Sequence, residues 1–150
     1  MIQKFALMMF FITLFQVSFE TNADAICVDN YRANLRKGPG VQYQKLWEVY
    51  KYMPFKMLRR KGDWLHVQDM DGDRYWIHKK LITSAYKCAV IKKDGTNMRE
   101  GPGTTYPVTP WSPTKKYLSL KILDTKGDWA HTIDEAGDKA WVHLSLVWIQ

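Results

Sequence analysis

Asn34-Leu35-Arg36-Lys37-Gly38-Pro39-Gly40 recurs 63 residues later as Asn97-Met98-Arg99-Glu100-Gly101-Pro102-Gly103, and Tyr43 is matched by Tyr106. Lys61-Gly62-Asp63-Trp64-Leu65-His66 returns as Lys126-Gly127-Asp128-Trp129-Ala130-His131, 65 residues on. Gly72-Asp73-Arg74-Tyr75-Trp76-Ile77-His78 returns as Gly137-Asp138-Lys139-Ala140-Trp141-Val142-His143 at the same offset of 65. Three blocks repeated in one order define two tandem copies of a single unit. The change of offset puts a net two-residue insertion into the second copy, between Tyr106 and Lys126.

Working outward from these blocks, the first copy spans residues 26–84 and the second 85–150, with the boundary near Thr83 to Lys87. Units of roughly 60 residues sit near the lower limit for independent folding. The connector is short, so the copies are expected to restrict each other's orientation. Within copy one, Leu46 to Tyr50, Phe55 to Arg59, Trp64 to Gln68, Tyr75 to His78 and Leu81-Ile82 read as strands, being short and rich in branched and aromatic residues. Lys61-Gly62-Asp63 and Asp71-Gly72 read as turns, because Gly and Asp tolerate the backbone angles that turns require. No stretch after residue 25 has the spacing of three and four that marks an amphipathic helix. An all-β unit of five or six short strands can bury a core only by curling into a small barrel.

The repeated loop carries its own physical logic. Pro39 and Pro102 fix φ near −65°, and Gly38, Gly40, Gly101 and Gly103 permit a sharp bend with close backbone approach. Leu35 and Met98 are expected core anchors. Arg36 and Arg99 either brace the loop by donating to carbonyls or present charge to a ligand, and bracing is the favoured reading.

The pattern Asn-Leu/Met-Arg-x-Gly-Pro-Gly-x-x-Tyr, then Gly-Asp-Trp, then Trp-Ile/Val-His, resembles the bacterial SH3 domain across Ile26 to Ile149. The resemblance implies two tandem SH3-like barrels of antiparallel strands, partly open. It implies a module that binds cell-wall peptide or glycan. It points to Tyr43, Trp47 and Trp64 in copy one, and Tyr106, Trp111 and Trp129 in copy two, as groove aromatics. Exposed rings stack on sugars and peptide planes. Trp64 and Trp129 can equally be core or rim residues. Pro107, Pro110 and Pro113 surround Trp111, so the second groove is expected to differ in shape. The eukaryotic SH3 ligand, a Pro-rich segment, is not transferred, because the chain lacks an Ala-Leu-Tyr-Asp-Tyr-type strand.

In such a barrel the first and last strands lie close together. Cys27 falls on the first strand of copy one and Cys88 just past its last, so a disulfide between them is expected in an oxidising compartment; two free buried thiols are the alternative.

Export is read from residues 1–25. Lys4 precedes a mostly apolar run, Phe5 to Phe19, and Ala23-Asp24-Ala25 fits a small-x-small cleavage site. An uncleaved anchor would need a longer run than this one, which Thr13, Gln16 and Ser18 interrupt. A lipoprotein at Cys27 would want a small residue where Ile26 stands. No second apolar run follows, so the mature protein is expected to be periplasmic or secreted, with no membrane span. The whole chain carries +7; cleavage leaves 21 basic against 13 acidic residues. Such a charge would also attract nucleic acid, which export argues against.

Catalysis finds no footing. There is no Gly-x-Ser-x-Gly, His-Glu-x-x-His or phosphate loop, and both cysteines open a copy rather than a catalytic scaffold. His66, His78, His131 and His143 form a tempting set, but no Cys, Asp or Glu recurs beside them to complete a zinc site. Asp69, Asp71 and Asp73 alternate around a turn without the bidentate Glu of a calcium loop. We therefore expect no catalytic residue, no metal and no cofactor. The expected partner is a wall polymer or, in the competing reading, an envelope protein held by an edge strand or aromatic patch. The oligomeric state stays open.

Overall fold

The computed structural model describes residues 24–150; the signal-like segment lies outside the described residues except for Asp24 and Ala25. Copy one contributes β1 (Ala25–Val28), β2 (Arg32–Arg36), β3 (Lys45–Tyr50), β4 (Pro54–Lys61), β5 (Trp64–Gln68), β6 (Arg74–His78) and β7 (Ile82–Thr83). Copy two contributes β8 (Cys88–Ile91), β9 (Ser119–Lys126), β10 (Trp129–Ile133), β11 (Lys139–His143) and β12 (Val147–Ile149). Two three-residue 3-10 turns, Lys79–Leu81 and Leu144–Leu146, precede β7 and β12. Among the described residues there is no α-helix. Leu81, read as strand from the sequence, belongs to the first 3-10 turn, where His78 Nδ1 accepts from the Lys80 N–H at 3.2 Å.

Every strand pair is antiparallel. The first sheet runs β3-β2-β6-β5-β4-β1-β7 and the second β11-β10-β9-β8-β12, both open rather than closed rings. Turn chemistry sets the registers. Gly62 and Gly127, at the β4–β5 and β9–β10 turns, have φ +59° and +56°, a region that favours glycine. Asp69 Oδ1 accepts from the Asp71 and Asp73 N–H groups in the β5–β6 turn, and Asp134 Oδ1 does the same for Ala136 and Asp138 between β10 and β11.

Copy two lacks partners to β2 and β3 as continuous strands. Its Arg99 keeps only isolated bridges to Val108 and Trp141, and Thr96 one to Thr114. Pro107, Pro110 and Pro113 remove ladder N–H donors from this stretch, which breaks the hairpin that Lys45–Tyr50 completes in copy one.

Each copy has its own core. Ile26, Val28, Leu35, Phe55, Leu65, Val67 and Ile77 pack in the first; Ile91, Met98, Leu120, Ala130 and Val142 pack in the second. Strand alternation produces this, as in β5, where Leu65 and Val67 are buried between half-buried neighbours. Leu35 and Met98, from the repeated motif, are 2% and 1% exposed. Burying such a side chain contributes about 1.5–3 kcal/mol.

The opening strands depart from alternation for a reason. All four residues of β8 are buried. Ala89 and Ile91 enter their own core, while Cys88 and Val90 point to the other face. Cys88 there joins Cys27 in a disulfide, with Cα atoms 6.0 Å apart. The Ser119 hydroxyl donates to the Lys51 carbonyl at 2.7 Å, a second tie between the copies.

Candidate functional site

The Gly-Pro-Gly loops are built around a tyrosine. A Cβ placed on Gly38 would lie 2.3 Å from the Tyr43 ring, and one on Gly101 the same distance from the Tyr106 ring. Each ring therefore seats directly on glycine, and no other residue leaves room. Arg36 Nη1 donates to the Tyr43 carbonyl at 2.9 Å; Arg99 Nη1 donates to the Thr104 and Tyr106 carbonyls at 3.1 and 2.8 Å. Both guanidinium groups thus brace the loop through Nη1. Gly38→Ala should displace the Tyr43 ring and destabilise copy one by about 1–2 kcal/mol. A melting curve unchanged from wild type would refute that packing.

Trp64 and Trp129 are half-buried and meet His78 and His143 edge-on, with ring centroids 5.2 and 5.3 Å apart. His66 and His131 stack on Trp76 and Trp141 at 4.7 Å. The histidines are therefore packing partners of the repeated tryptophans. Burial first, then Arg59 and Arg74, hold the His66 imidazole below its ordinary pKa. Among the described residues no group of three metal-ligating side chains converges.

Trp47 and Trp111 behave differently. They are 63% and 40% exposed. Both line one cleft of about 730 Å³ between the two copies, a volume usual for ligand sites. Its floor includes Leu35, Phe55 and Val90, and its walls include Tyr50, Tyr75 and Tyr117. The sequence placed these tryptophans in separate grooves; the structure brings them to a shared one. Tyr43, Trp64, Tyr106 and Trp129 lie outside it. Trp129 instead borders a smaller hollow of about 290 Å³ with Arg99, Thr104 and His143.

Sequence reading missed Tyr50, Tyr75 and Tyr117. Tyr117 had a signal available, because it matches Tyr52 at the 65-residue offset and both take left-handed φ, 72° and 71°. Non-glycine residues in that region store strain and cluster at functional positions. Their rings then diverge. Tyr52 meets Tyr86 edge-on within 5.7 Å, whereas the Tyr117 hydroxyl donates to Asp71 across the cleft. Lys116 Nζ reaches the same carboxylate at 3.1 Å. Copy one's acidic turn is so clamped to copy two's loop.

The Tyr117 hydroxyl, and after it Lys116, hold the Asp71 carboxyl below the ordinary aspartate range. Burial, aided by Asp69 and Asp73, pushes the Tyr75 phenol up to about 12, so it stays a neutral donor. A carboxyl depressed in the folded state stabilises above its unfolded value and loses that contribution as pH falls through the folded one. The melting temperature of Asp71→Asn should therefore lie below wild type at pH 7, and the gap should begin to narrow as pH falls to about 4 and close only below the depressed value of the folded carboxyl. A gap that persists unchanged into acid would contradict the clamp.

Two antiparallel sheets of few strands, joined by a disulfide and carrying the Gly-Pro-Gly motif once each, define a tandem small-β-domain protein. The chain belongs to the bacterial SH3 domain family, whose model matches residues 30–83 and 92–148. Over 122 residues it is 29% identical to the "Putative N-acetylmuramoyl-L-alanine amidase YrvJ" of Bacillus subtilis (strain 168). That match takes in 75% of this chain but 21% of the Bacillus protein, so the chain spans about a fifth of its relative's length. Among solved structures, an NlpC/P60 family protein from Bacillus cereus ATCC 10987 matches with TM-score 0.39 and 12% identity, over 84% of this chain and 56% of that one. NlpC1 from Trichomonas vaginalis matches with TM-score 0.37 and 12% identity, over 83% and 45%.

Proposed function

We propose that this protein is an exported, non-catalytic binding module that recognises bacterial cell-wall polymer, with the cleft between the two copies as its binding face. The observation that carries the reading is the pair Trp47 and Trp111, large exposed apolar rings, one from each copy, that line the same hollow. Exposed apolar patches of this kind mark interaction sites. The Cys27–Cys88 disulfide supports an oxidising compartment, periplasmic or extracellular, which agrees with cleavage after Ala25. The Bacillus relative's name is that of an enzyme cutting at N-acetylmuramoyl-L-alanine, a unit of wall polymer. Binding would be by ring stacking in a cleft that a disulfide and the Asp71 clamp hold in advance, which lowers the ordering cost.

A protein adaptor is the competing reading, because β3 ends its sheet and leaves one edge without a strand partner. Co-sedimentation of the mature protein with insoluble peptidoglycan separates the two. Depletion from the supernatant in 0.15 M salt supports the wall module. A protein that stays wholly in the supernatant would point to the adaptor.

A further inference from the structure

Glu48 of β3 is the one carboxylate in the seven strands of the first sheet. Arg32 at 3.1 Å and Lys45 at 2.9 Å neutralise it. The register sorts the basic residues of the other strands onto one face. Across β4 and β5, Lys56 stands opposite Gln68, Arg59 opposite His66 and Lys61 opposite Trp64. Gln68 in turn stands opposite Arg74, and Trp76 opposite both His66 and Arg36. Leu65, Val67, Tyr75 and Ile77 alternate with these residues and enter the core. Lys56, Arg59, Lys61, Arg74 and Arg36 therefore share the outward face. A register shift in β4 between Met57 and Arg59 re-aims Arg59 onto it.

Lys56, Arg59, Lys61 and Arg74 are exposed and enter no ion pair among the described residues. The Arg59 guanidinium lies over the Trp76 ring at 5.2 Å, with Trp76 only 7% exposed beneath it. A guanidinium stacked in this way keeps its edge N–H groups for a phosphate. Copy two does not repeat the arrangement, because Asp124 takes the place of Arg59, opposite His131. None of the five cations lines the cleft or the smaller hollow. They spread over β4, β6 and β2 of an open face rather than along a groove. A groove grips a single chain, whereas a two-dimensional array of cations matches a surface of many separate anionic headgroups.

We propose that the outward face of the first sheet docks on a membrane surface rich in anionic phospholipid, with Lys56, Arg59, Lys61, Arg74 and Arg36 against the lipid phosphates. None of the large apolar side chains left exposed lies on β4, β5 or β6, so the contact is electrostatic and the protein rests on the headgroups without entering the bilayer. The face is separate from the cleft, and neither assignment needs the other.

The test sediments the disulfide-bonded protein, residues 26–150, with vesicles of phosphatidylcholine alone or of phosphatidylcholine with about 30% phosphatidylglycerol. At low ionic strength the protein should sediment with the anionic vesicles and not with the neutral ones, and about 0.5 M salt should release it. Arg59→Gln/Arg74→Gln should weaken partitioning about 30-fold, each charge contributing about fivefold near such a surface. Lys56→Gln/Lys61→Gln removes two charges that rest on no ring and should weaken it as much, which decides the matter if losing Arg59 disturbs Trp76. Lys92→Gln/Lys126→Gln removes equal charge from exposed positions of copy two and should leave partitioning nearly unchanged. Equal losses in all three variants would mean that net charge alone drives binding and would overturn the assignment to this face. Equal sedimentation with neutral vesicles, or none with anionic ones, overturns the docking itself. Capture of soluble polyphosphate without sedimentation on vesicles reassigns the face to a phosphate polymer and overturns the docking as well.

Discussion

Removing both cysteines, as Cys27→Ser/Cys88→Ser, should lower stability by about 4 kcal/mol, the chain-entropy value for a closed loop of this size. The loop spans a sequence separation of 61 and encloses nearly all of copy one. Cross-linking its ends restricts the unfolded chain, so the loss should fall mainly on copy one. Copy two, whose core of Ile91, Met98, Leu120 and Val142 lies outside the loop, should melt closer to its wild-type temperature. Urea unfolding of oxidised wild type against the double variant checks this, followed by the indole fluorescence of the tryptophans. A difference under about 1 kcal/mol would mean the bond adds little beyond what the fold already imposes.

The second large effect concerns the cleft. Trp47→Ala and Trp111→Ala should each weaken wall binding by about 1–3 kcal/mol, the range for loss of a stacked ring. Both rings are exposed, so neither change should move the melting temperature by more than a degree or two. The double variant should lose nearly all retention on peptidoglycan. Trp64→Ala, by contrast, removes a half-buried ring packed on His78 and should cost stability before it costs binding. If Trp47→Ala and Trp111→Ala unfold their copies, the rings are structural and the cleft assignment fails.

Much of this architecture is legible in the sequence because it is local. The repeated Asn-Leu/Met-Arg-x-Gly-Pro-Gly motif announces a core residue, a brace and a bend, and each reads out in the structure as Leu35 or Met98 buried, Arg36 or Arg99 bonded, and a tyrosine seated on glycine. The alternation in Trp64 to Gln68 and the Gly62 turn are equally local. The cysteine pairing is legible only through the family resemblance, which brings a barrel's first and last strands together.

What the sequence does not disclose is the arrangement of one copy on the other. A repeat predicts equivalent copies, but the face between them is where equivalence must end. Asp71 clamps Lys116 and Tyr117, yet its counterpart at the 65-residue offset is Ala136. Tyr75 walls the cleft, yet its counterpart is Ala140. Trp111 reaches the shared cleft from the stretch that carries the insertion and three prolines, where the hairpin of copy one has no equivalent. These differences are visible as departures from the repeat. Their meaning depends on packing that no periodicity encodes.

The central claim, that the binding face is the cleft between the copies, is most directly tested by the indole N–H signals of the tryptophans during titration with soluble peptidoglycan fragments. Trp47 and Trp111 should shift together along one saturating curve, while Trp64 and Trp129, outside the cleft, stay in place. Movement of Trp64 and Trp129 with Trp47 and Trp111 unmoved would contradict the account.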